Sequence, residues 1–215
     1  DSEMLFDVGS TTVDLIPSQL GRLTCLGSTD TERLVAGELV YTGIERSPIC
    51  ALTRSLEYRE SPCPVAQELF ATTRDVYLIL GDLPEDPHDT DTADQRPATR
   101  HAACRRMSLM LCADDGQFEL QDAFLCAKQV ERAQIDLITG AFRKVIRRMG
   151  ELPEDVIVSG HGGFLARRVL DAVGWTGRSV SLVEQLGPTI SRCAPAHALA
   201  VLAAESCSGG SSARG

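Results

Sequence analysis

Residues 4 to 16 constrain this chain more tightly than any other stretch. Met4-Leu5-Phe6-Asp7-Val8 and Val13-Asp14-Leu15-Ile16 are two apolar runs separated by Gly9-Ser10-Thr11-Thr12. Aromatic and β-branched residues flanking a Gly-led polar turn predict a β-hairpin, and Pro17 ends its second strand. The tip of that hairpin carries chemistry. Asp7 arrives on a strand, Gly9 opens the turn, and Ser10, Thr11 and Thr12 add three hydroxyls before Asp14. Amide protons and hydroxyls in such a turn donate to phosphate oxygens. Asp7 and Asp14 offer a hard cation such as Mg2+ its preferred oxygen ligands. The same residues also read as an ordinary polar hairpin turn.

A second turn follows much later. Val156-Ile157-Val158 predicts a short buried strand, Ser159-Gly160-His161-Gly162-Gly163 a turn, and Phe164 to Val173 a helix. Glycines let backbone approach a ligand, and a helix N-terminus favours an anion. Gly160, Gly162 and Gly163 are therefore phosphate-binding candidates. His161 reads as a neutral loop residue rather than a base.

Periodicity places the remaining elements. Residues 31 to 39 predict a short helix capped by Asp30, residues 40 to 60 strands and loops, and residues 64 to 80 a helix on Val65, Leu69, Val76 and Leu80. Residues 81 to 94 are acidic and Pro-bearing, hence a loop. His88, Asp89, Asp91 and Asp94 in it read as a metal-binding cluster or as a solvated acidic segment. Helices follow at about 97 to 112 and from Phe118 to Met149, the latter with an apolar stripe through Leu120, Phe124, Ala127, Leu137, Ala141, Val145 and Met149. Ser179 to Val183 predicts a strand and Cys193 to Glu205 an Ala-rich helix. The Ser/Gly-rich tail from Ser206 to Gly215 is expected to be disordered. This divides the chain into a phosphate-loop hairpin and lobe start (1–60), a mostly helical insert (61–150), a strand-Gly-Gly-helix part completing the lobe (151–205) and the tail (206–215).

Composition narrows the function classes. The formal net charge is -9, which argues against a broad nucleic-acid surface. The pairs Arg105-Arg106, Arg147-Arg148 and Arg167-Arg168 lie in helical patterns and are expected on solvated faces. Eight cysteines show neither framework spacing nor a Cys-x-x-Cys pair, which disfavours disulfides and zinc. Cys104, Cys112 and Cys126 are expected as small buried side chains, and the compartment as a reducing cytoplasm. No apolar run approaches the roughly 20 residues a membrane helix needs.

The order of these parts resembles the second half of the actin, hexokinase and heat-shock ATPase superfamily. That resemblance implies an α/β, actin-like (ribonuclease H-like) ATPase-type lobe with a helical insert. A narrower one covers nearly the whole chain. Asp7 to Asp14, Ser28-Thr-Asp-Thr-Glu-Arg-Leu34, Gly37-Glu-Leu-Val-Tyr-Thr-Gly43, Glu68-Leu-Phe-Ala-Thr-Thr72, Asp75-Val-Tyr77, Gly81-Asp-Leu-Pro84, Thr92-Ala-Asp94 and Ala194-Pro-Ala-His197 resemble one branch of the hydantoinase/oxoprolinase family. This branch accompanies tetrahydromethanopterin-linked one-carbon transfer. The resemblance implies a methanofuran-type transferase that displaces diphosphate from an aminomethylfuran-methyl diphosphate with the phenol of glutamyl-tyramine. It implies Gly9, Ser10, Thr11 and Thr12 on phosphate, Asp7 and Asp14 on Mg2+, and Asp30 and Glu32 orienting the substrate or accepting a proton, though these two read equally as an N-cap and a first-turn acid of a helix. An ATP-dependent kinase or hydrolase uses the same loops, and a non-catalytic binding module keeps the same fold. The expected partner is a small phosphate or diphosphate, with no nucleic acid and no membrane; a homo-oligomer stays open. Against the family pattern, the chain starts at the second phosphate loop, which reads as a truncated product. Gln95 also stands where a Gly is expected between Asp94 and Arg96.

Overall fold

The computed structural model describes residues 2–114 and 116–209. Alternation in β1 (Ser2–Val8) buries Met4, Phe6 and Val8 and leaves Glu3, Leu5 and Asp7 half-exposed on the other face. β2 (Val13–Gln19) pairs antiparallel with β1, with Val8 opposite Val13 and Asp7 opposite Asp14. The expected hairpin thus forms in the register its apolar pattern requires, but Pro17 does not end β2: it pairs with Met4 and the strand runs on to Gln19. β3 (Arg22–Leu23) and β4 (Leu39–Val40) extend β2, while β7 (Asp155–Gly160) pairs parallel with β1 and β8 (Arg178–Ser181) parallel with β7. Among the described residues these make one mixed sheet in the order β3-β2-β1-β7-β8, with β4 beside β2. β5 (Ser55–Tyr58) and β6 (Ser61–Pro64) form a separate antiparallel pair. The architecture is mixed α/β.

Helices cover the inner face. α5 (Leu120–Met149) is the longest, 30 residues or about 45 Å at 1.5 Å per residue. A reciprocal cap between Glu119 and Asp122 starts it, and Gly150 at φ 82° ends it. Phe142 on α5 meets Phe6 on β1 with ring centroids 5.8 Å apart. α3 (Thr73–Leu80) packs on α5, and its Tyr77 meets Phe164 of α6 (Gly163–Val173) edge-on at 4.8 Å. One apolar cluster joins β1, β2, β7, α3, α4 (Arg100–Met110), α5 and α6. The peripheral helices are α1 (Asp30–Ala36), α2 (Ile49–Leu52), α7 (Leu182–Leu186), α8 (Pro188–Arg192) and α9 (Ala194–Gly209). No helix among the described residues is long and apolar enough to cross a membrane.

Several expectations need correction. The helix predicted over 64 to 80 begins only at Thr73, because Thr72 and Asp75 form a capping box; upstream, Val65 and Ala66 donate to Arg54 and Met110 carbonyls instead. The first helix is capped by Thr29, not Asp30. On α5, Leu120, Phe124 and Leu137 are exposed; the buried stripe runs through Ala123, Ala127, Val130, Gln134, Ile138, Phe142 and Val145. Residues 182 and 183 leave the predicted strand because Ser181 caps α7, accepting from the Glu184 amide at 3.3 Å. α9 continues to Gly209, past the expected start of the tail, and residues 210–215 lie outside the described residues. Cys126 is buried, but Cys104 is half-buried and Cys112 exposed; the seven described cysteines are all free.

The arginine pairs are not simply solvated. In each pair the second member ties elements together. Arg106 is fully buried against Asp75 and Asp94 at 2.7 and 2.9 Å. Arg148 pairs with buried Glu38, and Arg168 bridges Asp82 and Glu131. Asp89 and Asp94 are likewise taken up by Arg74 and Arg106, and among the described residues no group of three or more His, Cys, Asp or Glu could hold a metal.

Candidate functional site

The hairpin tip is braced from one side. Gly9 donates to the Thr12 carbonyl at 2.9 Å, closing the turn. The Gly9 carbonyl accepts from Ile44, and the Ser10 carbonyl accepts from both Glu45 and Arg46, each at 3.0 Å. In a trans peptide the C=O and the following N–H point in opposite directions. Anchoring these two carbonyls therefore turns the Ser10 and Thr11 amides away from residues 44–46. Among the described residues neither amide makes a backbone hydrogen bond. The Ser10 and Thr11 hydroxyls lie 3.3 Å apart beside them. Gly43 has to be glycine because its backbone packs directly on the Ser10-Thr11 peptide, where a Cβ would overlap it.

The bracing loop is itself fixed from the core. Gln134 on α5 donates to the Thr42 hydroxyl at 2.8 Å and the Gly43 carbonyl at 2.9 Å, and it accepts from the Tyr77 hydroxyl at 2.5 Å. Thr42 bonds Ser47 at 2.8 Å, and Thr73 donates to the Gly43 carbonyl at 2.8 Å. All five polar side chains are buried, so each bond replaces water that cannot reach. Burial pushes the Tyr77 phenol up, keeping it a donor.

Asp14, Asp7 and Ser159 form a row across β2, β1 and β7 at the turn end of the sheet. Ser159 is buried and donates to Asp7. Burial pushes the Asp7 carboxyl above its ordinary value; the Ser159 hydrogen bond opposes this and Asp14 adds to it. Asp14 is ion-paired with Arg33 of α1. Asp30 and Glu32 sit at the start of that helix. The Glu32 carboxylate accepts the Ser28 and Thr29 amides at 2.7 and 3.2 Å, and Asp30 lies exposed 3.7 Å from Arg33.

The second glycine turn comes to the same place. Gly160, at φ 81°, and Gly162 both press against Val8 at the end of β1, where side chains would overlap it, and the Gly162 amide donates to the Val8 carbonyl at 3.0 Å. Gly163 has room for a Cβ and instead opens α6. Buried Ser191 holds the Gly160 carbonyl at 3.0 Å. Between the glycines, the His161 Nε2 lies 2.9 Å from Glu45 Oε1, both half-buried. The His161 hydrogen bond holds the Glu45 carboxyl below its usual range, assisted by the charges of Arg74 and Arg192.

Residues 1–206 match the model of the hydantoinase/oxoprolinase family. The chain belongs to the hydantoinase/oxoprolinase family. Two curated relatives, from Methanococcus vannielii and Methanocaldococcus jannaschii, are each named (4-{4-[2-(gamma-L-glutamylamino)ethyl]phenoxymethyl}furan-2-yl)methanamine synthase. The first is 29% identical over 201 residues, which is 93% of this chain and 89% of that protein. The second is 29% identical over 202 residues, 94% of this chain and 59% of that protein, so the chain spans under two thirds of the longer relative.

Within this hydantoinase/oxoprolinase chain, both glycine turns and the Asp7–Asp14 pair meet at one end of the sheet. Asp30 is joined to it through Arg33 and Asp14, while the Glu32 carboxylate holds the Ser28 and Thr29 amides. Sequence reasoning missed Glu45, Ser159, Ser191 and Gln134. Ser159 had a usable signal, standing opposite Asp7 once β7 is paired with β1. Glu45 had none beyond its nearness to Gly43.

Proposed function

We propose that this chain serves the reaction its relatives' name describes, forming the ether between a γ-glutamyl-bearing phenol and an aminomethylfuran methylene, with diphosphate as the leaving group. One observation carries the reading: the Gly9 and Ser10 carbonyls are held by the 44–46 amides, so the Ser10 and Thr11 amides and hydroxyls present a preformed anion cradle beside Asp7. Donors fixed before charge develops stabilise a departing diphosphate without reorganising. The sheet order, with antiparallel strands continued by parallel ones, supports an actin-like, ribonuclease H-like lobe for this cradle.

Asp7 fits a hard cation. It is a carboxylate drawn out of water, with the Ser159 hydroxyl as its donor, and Mg2+ characteristically takes one or two carboxylates plus substrate phosphates. Asp14 would take the second place through water, because Arg33 already meets its charge. Mg2+ held there would supply neutralising charge to the leaving diphosphate. The chain's own residues then divide the work. Ser10, Thr11 and Thr12 bind phosphate oxygens, while Gly9 closes the turn. Gly160 and Gly162 let the β7–α6 turn lie flat against β1, and Gly163 opens the helix N-terminus toward the anion. The test is direct. Mixing the chain with glutamyl-tyramine, the aminomethylfuran-methyl diphosphate and Mg2+ should give the ether and pyrophosphate by mass spectrometry. ADP formation from ATP with no ether would favour a kinase or hydrolase instead.

A further inference from the structure

The reaction proposed above needs an acceptor for the nucleophile's proton, since a phenol is neutral near pH 7. Glu32 is committed to a helix cap, Asp30 is exposed beyond Arg33, and Asp7 accepts from Ser159 and is assigned to the cation. The His161–Glu45 pair is placed differently. His161 lies between the two glycines that pack on β1, and Glu45 lies on the loop that braces the phosphate turn. Both elements are therefore fixed relative to the anion cradle. Glu45 also lines a cleft of about 310 Å3 with Arg46, Leu69, Thr72, Arg74 and Asp91, which opens the Glu45 side of the pair to a second substrate.

We propose that His161 is the proton acceptor for the attacking hydroxyl and that Glu45 is its positioning residue. The assignment rests on the alkyl-transfer reading of the preceding section. An ionised carboxylate only accepts hydrogen bonds, so the 2.9 Å contact puts the hydrogen on Nε2 and leaves the Nδ1 lone pair for substrate. As the phenol oxygen forms its bond to the furan methylene, the methylene–oxygen bond breaks and its electron pair leaves with diphosphate. The phenol proton passes to Nδ1, giving an imidazolium paired with the Glu45 carboxylate, which then releases a proton to water. The charges of Arg74 and Arg192 act on Glu45, with Arg192 3.9 Å from its carboxylate, and the charge of His161 acts on Asp7. The arrangement follows the general rule that a base is oriented by a third group.

The test uses the full chain. In His161→Gln, kcat for ether formation should fall by about 10²-fold or more, the usual span for a general base, with the KM for the furan diphosphate unchanged. In His161→Ala, added imidazole should restore turnover, which a purely structural role does not allow. Glu45→Gln should lower kcat less than His161→Gln. A measurement that needs no substrate stands beside these: nitrogen NMR of the His161 ring, identified by its absence in His161→Gln, should show hydrogen on Nε2 and none on Nδ1 above the imidazole's titration range. Unchanged kcat in His161→Gln, or hydrogen on Nδ1, overturns the assignment. Loss of the alkyl-transfer reading shows separately, as a wild-type chain that binds pyrophosphate and forms no ether.

Discussion

At the scale of single residues, backbone conformation separates what the sequence disclosed from what it hid. Gln95 stands where a glycine is expected, and the structure gives the physical reason for that expectation: it adopts φ 58°. A left-handed conformation costs a non-glycine residue about 1–2 kcal/mol, while glycine loses about 0.5–1 kcal/mol more entropy on folding. Gln95→Gly should therefore stabilise the chain by up to about 1 kcal/mol, or roughly 2–4 °C for a chain of this size. A thermal melt that falls instead would mean the Gln95 side chain holds the loop. Glu45 gives a pH prediction. Its folded carboxyl titrates below the ordinary value, chiefly through His161. Its stabilising contribution is then fully present above the unfolded value and is lost as pH falls through the folded one. The melting difference between wild type and Glu45→Gln should be full at neutral pH and close below about pH 4.5. A difference that persisted well below that range would contradict the pairing.

At the scale of elements, the sequence showed the strands better than the long helix. Strict alternation in β1 and β2 fixes one buried face, so the hairpin register followed directly from the apolar residues. On α5 apolar residues lie all round, and the true inward face includes Gln134, a residue no hydrophobic stripe would select. Gln134 is inward because it satisfies the Thr42–Ser47 loop, a contact about ninety positions away in sequence. Likewise the second arginine of each pair reads as a solvent-facing charge until its distant acid is known. Gln134→Leu should cost about 1–3 kcal/mol by stranding the buried Tyr77 hydroxyl. It should also speed amide exchange at Ile44, Glu45 and Arg46 more than elsewhere in the core. Uniform exchange across the molecule would show that the loop is held by other contacts.

For the whole molecule, the two glycine turns were legible as motifs, and their order was legible as a resemblance, but their meeting was not. It depends on β7 pairing parallel with β1 after a helical excursion of over a hundred residues, which places Ser159 beside Asp7 and Gly160 against Val8. The same pairing brings His161 to Glu45. Whether this end of the sheet grips a diphosphate therefore decides the function. The most direct measurement is calorimetric titration of the chain with pyrophosphate and Mg2+, run in parallel on Asp7→Asn, which keeps an acceptor for Ser159 but removes the charge. Saturable binding by the wild-type chain, lost or weakened at least tenfold (about 1.4 kcal/mol) in Asp7→Asn, is the predicted result. Equal affinity in the two proteins, or no binding by the wild-type chain, would contradict it.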